Sequence, residues 1–442
     1  MGVIKLPEKS GSPEQILKTM KELSGQDADW RSAKTWSLVY FAGDELLNVA
    51  KSAYMMFFSE NALNPLAFPS LKKFENEVVA MTANMLGGGP EAVGSMTSGG
   101  TESILLAVKT ARDWARANKP DVKEPEMILP ITAHPSFEKA SHYFGVKSVH
   151  IPITSDLRAD VKAAESAVNK NTILIVGSAA CYPYGVIDPI PELAEIAMKN
   201  NILFHTDACL GGFMLPFLKK LGYQIRDFDL SVPGVTSISA DVHKFGYAGK
   251  GASTIIYKNS ELRKFQFYIY ADWPGGVYAS PTMTGTRPGG AIASAWAVMN
   301  YLGEEGYLRV AKQAMSVTER LVEEIGKIPG LKVMTKPDMS VFAFGSDIIN
   351  VFELGELMEK KGWFLDRLQM PPGLHMIVTP NHEKIIQPFL ADLSQITAEL
   401  IKQGKKDATG MAAVYGIIGT LPDRKAAHQL VLGFLDDLFK AK

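Results

Sequence analysis

Short apolar runs alternate along the chain with longer stretches whose apolar residues recur at helical spacing. The runs SVHIPIT, TILIVGSAA, NILFHTDA and SISADV have the length and composition of buried strands. Stretches such as IPELAEIAMKNN separate them and predict helices. This alternation predicts an α/β fold built on a mostly parallel, doubly wound sheet.

The two ends of the chain differ from this central region. The segment SPEQILKTMKEL predicts a short amphipathic helix with Ser12 as N-cap and Pro13 in the first helical position. From about Glu304, a helical stretch leads to the short strand patterns LKVMT, VFAFGS and LHMIVTP, which predict a smaller α+β domain. We therefore expect an N-terminal arm over 1–60, a large domain over 61–303 and a small C-terminal domain over 304–442.

The composition is that of a globular enzyme. Of 442 residues, 46% are apolar and 21% are charged, and the formal net charge of −1 argues against a nucleic-acid partner. The two cysteines, Cys181 and Cys209, form neither a disulfide framework nor a metal-binding pattern. The chain has no apolar run of about eighteen residues, and its N-terminus lacks the apolar core of a signal peptide. We expect a cytoplasmic protein with no transmembrane segment and no bound metal.

A lysine and an acid follow two of the predicted strands. SISADVHKFGYAGKGAS puts Lys244 at the carboxyl edge of the sheet, where open α/β folds bind their ligands, and HTDACLGG puts Asp207 at a second strand end. A lysine that forms a Schiff base and an acid that pairs with the pyridinium nitrogen together suit a pyridoxal phosphate site. His134, after a third strand, could stack on a flat cofactor ring. A solvated lysine and a structural histidine are the alternative interpretations.

Two loops rich in glycine offer donors to a phosphate. In TSGGTESIL, the turn from Ser98 to Thr101 runs directly into a helix, so backbone amides and a positive dipole end can meet an anion there. TGTRPGG supplies a second set of hydroxyl, amide and arginine donors from Thr284 to Arg287. Each loop taken alone is as consistent with an ordinary connection between elements.

Taken together, HTDACLGG, DVHKFGYAGKG, TSGGTES and TGTRPGG resemble the sphingosine-1-phosphate lyase branch of the pyridoxal-phosphate-dependent group II decarboxylase family. The resemblance runs from VYFAG near Tyr40 through NPLAFPS to MAAVYGIIGTLPDR near the C-terminus. It implies a fold-type I enzyme, similar to aspartate aminotransferase, that uses pyridoxal 5'-phosphate and works as a homodimer with shared active sites. The implied activity is cleavage of the C2–C3 bond of a phosphorylated long-chain base to a fatty aldehyde and phosphoethanolamine.

The resemblance also implies roles for the residues that bind the cofactor. Lys244 would form the Schiff base, Asp207 would pair with the ring nitrogen, and His134 would stack on the ring. The cofactor phosphate would be held by Ser98, Gly99, Gly100, Thr101 and His243, and by Gly285 and Thr286 of a second subunit.

Three further residues would serve the substrate. Tyr182 would lie beside the reacting carbons, and Tyr40 and Lys250 would bind the substrate's own phosphate. The family has Leu-His-Pro where this chain has Leu-Asn-Pro, so Asn64 replaces a histidine that could bind phosphate. This difference leaves an amino-acid decarboxylase as the alternative function, and a protein that holds the cofactor without turnover as a third.

Overall fold

The computed structural model describes residues 4–404 and 424–440. At its centre lies a seven-stranded sheet made of β1 Val93–Thr97, β2 Glu126–Pro130, β3 Lys147–Ile151, β4 Thr172–Ser178, β5 Leu203–Asp207, β6 Ser237–Ala240 and β7 Ser253–Tyr257. Their order in space is β1-β7-β6-β5-β4-β2-β3. β7 runs antiparallel to both of its neighbours, and the other pairs are parallel. The predicted mostly parallel sheet is confirmed.

Helices cover both faces of this sheet. They include α2 Asp44–Met56, α3 Pro69–Met85, α4 Gly100–Asn118, α5 Ser136–Phe144, α6 Val161–Ala167, α7 Ile190–Lys199, α8 Leu215–Lys220 and α9 Ser260–Arg263. Along β4, Ile175 packs into a core shared with α7, whereas Leu174 and Val176 pack into a second core shared with α4 and α5. Every residue of β4 is buried, as expected for a strand between two helix layers.

A smaller antiparallel sheet lies towards the C-terminus. Its strands are β10 Lys332–Val333, β11 Val341–Gly345, β12 Asp366–Gln369 and β13 Pro372–Ile377, in the order β10-β11-β13-β12. Helices α11 Val351–Lys360 and α12 Ile386–Gln403 share its apolar core, and α13 covers Arg424–Leu438. The predicted α+β C-terminal part is confirmed, while the division of the chain at residues 60 and 303 stays a prediction.

One long helix, α10 Gly289–Lys327, connects the two sheets. It is broken at Gly303, whose φ of 54° lies in the left-handed region that favours glycine. The part before the break packs into the core of the large sheet through Ile292 and Val298. Near its C-terminal end, Leu321 and Ile325 pack into the core of the small sheet.

A polar contact also joins the two sheets. Arg158 pairs with Asp338 at 2.7 Å, and the same Asp338 oxygen accepts a hydrogen bond from the Ile187 amide at 2.7 Å. Both Arg158 and Ile187 lie in segments attached to the large sheet, whereas Asp338 lies three residues before the start of β11. The contact therefore fixes the small sheet against the loop that follows β4.

The N-terminal prediction is confirmed by α1 Pro13–Leu23, where the Ser12 hydroxyl accepts a hydrogen bond from the Gln15 amide. None of the residues of α1 is buried. The motif MAAVYGIIGTLPDR lies outside the described residues except for its last residue, Arg424. Within the described ranges, no helix is both long enough and apolar enough to cross a bilayer.

Four strands have no counterpart in the sequence prediction. β1 carries no apolar pattern because it is rich in small residues, and a Cβ on Gly94 would collide with the Ile255 carbonyl of the neighbouring strand. β12 is polar and only half-buried, so no apolar alternation marks it. A hairpin of β8 Tyr268–Trp273 and β9 Gly276–Ser280 occupies a region predicted in part as loop, and almost all of its residues are exposed.

The loop after this hairpin is held by a buried ion pair. Both amine nitrogens of the Arg287 guanidinium pair with the carboxylate of Glu75 on α3, and Nη2 lies 3.0 Å from Oε2. Arg287 is therefore a structural residue in this chain and is not available as a phosphate donor. The backbone of the same loop bonds to the segment before α3, since the Ala62 amide donates to the Arg287 carbonyl at 3.0 Å.

Candidate active site

A cavity of about 400 Å³ opens at the carboxyl edge of the large sheet. The ends of β1, β2, β4, β5 and β6 meet there because parallel strands present their carboxyl ends on one side. Nine of the residues predicted from sequence line it: Ser98, Gly99, Gly100, Thr101, His134, Tyr182, Asp207, His243 and Lys244.

Lys244 is held at the cavity wall by a buried carboxylate. Its Nζ lies 3.0 Å from Oδ2 of Asp241, a side chain that is only 1% exposed. Burial alone would lower the pKa of Lys244, but the charge of Asp241, together with smaller contributions from Cys209, Tyr40 and the hydrogen bond to Asp241, raises the pKa above its usual value. Burial would likewise raise the pKa of Asp241, yet the charges of Lys244 and His243 hold it below its usual value. The pair is therefore ionic, and it fixes the position of the amine.

Asp207 presents one oxygen to the cavity. The Cys209 amide donates to its Oδ1 at 3.1 Å, and the Ser239 hydroxyl donates to the same oxygen at 3.3 Å. Because both bonds use Oδ1, the second oxygen is the one available to a ligand. A carboxylate anchored in this way suits a protonated ring nitrogen.

His134 lies across the cavity in a defined tautomer. Its Nδ1 accepts a hydrogen bond from the Ser136 amide at 3.2 Å, so the hydrogen of the neutral ring is on Nε2. Burial lowers the pKa of His134 below its usual value, although the charge of Asp207 opposes this effect. A neutral imidazole whose ring is fixed by Ser136 is suited to stacking on a flat ligand.

The turn at the start of α4 can receive a phosphate. Gly99 is the N-cap, and the amides of the first helical turn have no partners within the helix, so they can bind an anion. A Cβ on Gly100 would lie 2.8 Å from both Asp241 Oδ2 and Cys209 Sγ, which explains the glycine at this position. His243 lies alongside, since its Cε1 would be 3.5 Å from a Cβ on Gly99.

Glu102 shapes this turn and was missed by the sequence analysis. Its Oε2 accepts hydrogen bonds from the amide and hydroxyl of Ser98 at 2.6 and 2.7 Å, so both Ser98 donors are engaged. Its Oε1 accepts from the Met283 amide at 2.8 Å. Glu102 therefore connects the two glycine-rich loops that the sequence presents separately.

Tyr40 and Lys250 form a second cluster that adjoins the cavity without lining it. The Lys250 ammonium lies 5.1 Å from the centre of the Tyr40 ring, which packs edge-on against Phe245. The side chain of Lys250 reaches the surface, but loss of hydration and the charge of Lys244 lower its pKa to about 8. Two amines thus lie close enough for each to affect the other.

Gly285 and Thr286 lie outside the cavity of their own chain. Thr286 is exposed, and a Cβ on Gly285 would lie 3.5 Å from the Tyr278 hydroxyl and 3.8 Å from Leu63. Asn64, next to Leu63, is exposed as well, and its side chain accepts a hydrogen bond from the Leu66 amide at 3.0 Å. The two loops therefore lie together on the surface.

Asp241 and Asp366 are two further residues of the site that the sequence patterns did not indicate. Asp241 stands three residues before Lys244 and directly follows β6, so its position in DVHK could have marked it. Asp366 accepts a hydrogen bond from the Tyr182 hydroxyl at 2.7 Å, although 184 residues separate the two in sequence. No local pattern could have indicated that contact.

The residues that meet here fit pyridoxal phosphate. A lysine, an anchored carboxylate and a flat imidazole surround one cavity, and a helix N-terminus with a close-packed glycine opens into it. Within the described residues, no group of His, Cys, Asp and Glu could hold a metal ion.

Comparison with known proteins agrees with this chemistry. Residues 14–346 match the model of the pyridoxal-dependent decarboxylase conserved domain. The sphingosine-1-phosphate lyase of Arabidopsis thaliana is 45% identical over 98% of this chain and 81% of its own length, and that of Rattus norvegicus is 42% identical over 98% and 77%. A solved sphingosine-1-phosphate lyase from Burkholderia pseudomallei superposes with a TM-score of 0.90 at 36% identity, covering 100% of this chain and 98% of that one.

More distant relatives share the fold. A glutamate decarboxylase from Lactobacillus brevis has a TM-score of 0.79 at 18% identity and covers 91% of this chain and 96% of its own. A probable L-aspartate decarboxylase from Pyrococcus furiosus is 34% identical over 81% of this chain and 94% of its own length. With a family model that matches most of its length, and with Lys244, Asp207 and His134 around one cavity, the chain belongs to the pyridoxal-dependent decarboxylase family and uses pyridoxal phosphate as its cofactor.

Proposed function

We propose that this protein is a pyridoxal-phosphate-dependent lyase that cleaves the C2–C3 bond of a phosphorylated long-chain base, giving a fatty aldehyde and phosphoethanolamine. The observation that carries the proposal is a second cation, Lys250, beside the cofactor lysine Lys244. A substrate with a remote phosphate needs such a charge, whereas an amino acid with an uncharged side chain does not. The high identity to sphingosine-1-phosphate lyases over nearly the whole chain supports it.

The cofactor roles follow from the contacts around the cavity. Lys244 attaches the cofactor, Asp207 binds the ring nitrogen through its available oxygen, and His134 stacks on the ring. The first turn of α4, with Gly99, Gly100, Thr101 and His243, holds the cofactor phosphate. When bound, the cofactor supplies an electron sink for the pair released as the C2–C3 bond breaks.

The remaining residues act on the substrate. Tyr182 lines the cavity, where it would lie beside the reacting carbons, and it is one residue that can exchange a proton with the C3 hydroxyl; Lys244 is the other. Lys250 and Tyr40 receive the phosphate of the substrate at the mouth of the site. The hydrogen bond from Leu66 to Asn64 gives Asn64 a local role in its own turn, so the family's histidine is not needed there for the fold.

We propose a homodimer as the active unit, with a second copy of this chain covering the exposed hairpin. Ile269, Trp273 and Val277 are 65%, 54% and 72% exposed, which is a large apolar surface for a monomer. Gly285 and Thr286 follow the hairpin and lie outside their own cavity, which leaves them available to the cofactor phosphate of a partner. The apolar stripe of α1, which includes Ile16, Leu17, Met20 and Leu23, is a further surface for the second copy.

The experiment that tests the proposed function compares substrates by their products. We expect the purified enzyme to release a long-chain aldehyde from a phosphorylated long-chain base, measured by mass spectrometry. Aromatic and acidic amino acids should give no carbon dioxide above background. Carbon dioxide without aldehyde would favour the decarboxylase function, and the absence of both products would favour a protein that only binds the cofactor.

A second prediction concerns the attachment of the cofactor. The purified protein should be yellow, and borohydride should fix the cofactor to the peptide that contains Lys244, as identified by mass spectrometry. Lys244→Ala should abolish turnover. Asp207→Asn should retain part of the cofactor and lose most of its activity, because the ring nitrogen is no longer held protonated. Borohydride trapping on another lysine would contradict the site.

A third prediction separates phosphate recognition from a general effect on the site. Lys250→Ala should lower kcat/KM for the phosphorylated base by about tenfold or more, the size expected for a lost charge-assisted bond, and should barely affect the unphosphorylated analogue. Lys264→Ala, which removes an exposed lysine elsewhere, is the matched control. Equal losses on both substrates would show that Lys250 does not bind the phosphate.

The same residue predicts a pH dependence. The pKa of Lys250 is about 8, so its ammonium is present below that pH and is lost as the pH rises through it. We expect kcat/KM for the phosphorylated base to fall over this range, because it reports ionisation of the free enzyme. Lys250→Arg should move the fall to higher pH, since the guanidinium stays charged. An unchanged profile in that variant would assign the fall to another group.

A fifth prediction tests the dimer. Trp273→Asp should shift the protein towards monomer in analytical ultracentrifugation and weaken cofactor retention, because each site would lose the loop donated by its partner. Met198→Asp is the control, since Met198 is 54% exposed, as Trp273 is, but lies at the end of α7. A Trp273→Asp variant that remains dimeric and fully loaded would contradict the proposed interface.

A further inference from the structure

The hydrogen bond between Tyr182 and Asp366 crosses from the cavity to the small sheet. Tyr182 lines the cavity and its hydroxyl lies 2.7 Å from Oδ2 of Asp366, the first residue of β12. A tyrosine hydroxyl has one hydrogen, and a carboxylate can only accept. The hydrogen therefore points to Asp366, and the lone pairs of the Tyr182 oxygen remain for a ligand.

The groups around Tyr182 keep its hydroxyl hydrogen directed at Asp366. Burial raises the pKa of Tyr182, and the negative charge of Asp366 raises it further, so the phenol keeps its hydrogen. His375 lies directly opposite Asp366 across the β12–β13 pair, with its ring 4.1 Å from that of Tyr182. Burial lowers the pKa of His375, so this ring does not supply a cation to Asp366.

The carboxylate of Asp366 faces the site. The neighbouring Arg367 is paired with Glu359 at 2.8 Å, and successive residues of a strand point to opposite faces. The charge of Asp366 also acts on Tyr40, whose pKa is raised mainly by burial and in part by Asp366. Its negative charge thus acts on Tyr40 and Tyr182, the same two tyrosines on which the charge of Lys244 acts.

We propose that Asp366 is a positioning residue that turns Tyr182 into a hydrogen-bond acceptor, so that the site takes amines bearing a hydroxyl and rejects amines bearing an α-carboxylate. A substrate hydroxyl can donate to the Tyr182 oxygen. An α-carboxylate has no hydrogen to donate and would bring its charge close to that of Asp366, which is repulsive. This inference deepens the proposed function and rests on it, because it explains how one cofactor site selects the lyase substrate over an amino acid.

Two small ligands measure the discrimination against an α-carboxylate directly. Phosphoethanolamine and O-phosphoserine share the amine and the phosphate and differ by the α-carboxylate. Their dissociation constants can be measured with the cofactor-loaded enzyme from the change in its visible absorption and, independently, by calorimetry. We expect the wild-type enzyme to bind phosphoethanolamine about tenfold more tightly than O-phosphoserine, or better.

Substitutions at Asp366 test whether this residue causes the preference for phosphoethanolamine over O-phosphoserine. Asp366→Asn should reduce the ratio of the two dissociation constants by about tenfold, because the charge is lost and the amide can donate as well as accept. Asp366→Glu should restore most of the preference. Asp347→Asn, which removes the same charge from an exposed pair with Lys332, should leave the ratio unchanged.

The outcomes separate this inference from the function it rests on. A wild-type enzyme that binds neither ligand and forms no aldehyde would overturn the proposed function. Aldehyde formation together with an unchanged ratio in Asp366→Asn would overturn the role of Asp366 alone. If Asp366→Asn does not fold, Tyr182→Phe provides the test, since removal of the acceptor oxygen should also reduce the preference, and an unchanged ratio there would contradict the proposal.

Discussion

The buried pair of Lys244 and Asp241 is the interaction on which the site depends. Asp241 directly follows β6 and is almost completely enclosed, so its charge is stabilised mainly by the amine 3.0 Å away. Removing either partner of such a pair leaves an uncompensated buried charge, which typically destabilises a protein by about 3–5 kcal/mol. The position of the reactive lysine is thus determined by the same contact that makes the burial of Asp241 possible.

The large sheet positions the other reactive groups of the site. Because five strands end on one side, Lys244, Asp207 and His134 reach one cavity from separate parts of the sequence without any loop having to cross the fold. Their own partners then set their chemistry: Ser239 anchors the oxygen of Asp207, and Ser136 fixes the tautomer of His134. The strand ends therefore determine where the reactive side chains lie, and short-range hydrogen bonds determine their orientation and tautomer.

The large sheet and most of the cavity were predictable because their signals are local. Apolar runs mark β4 and β5, and Lys244, Asp207 and His134 each follow such a run. Asp366 was not predictable, because its contact with Tyr182 depends on how two sheets meet. The strand β1 escaped prediction for a different reason: close packing against β7 requires small residues, which remove the apolar pattern by which strands are recognised.

The break in α10 affects how the two sheets are held relative to each other. A continuous helix would act as a rigid rod and would set the angle between the two sheets by itself. At Gly303 the helical geometry is interrupted at one residue with no side chain, and a Cβ there would meet no atom within 4 Å. The orientation of the small sheet therefore does not depend on α10 alone. Val341 and Ile377 of the small sheet pack into the core of the large sheet, and the pairs Arg158 with Asp338 and Tyr182 with Asp366 add polar contacts between the two sheets. Since Tyr182 lines the cavity, its hydrogen bond to Asp366 makes the site part of the contact that holds the two sheets in their relative position.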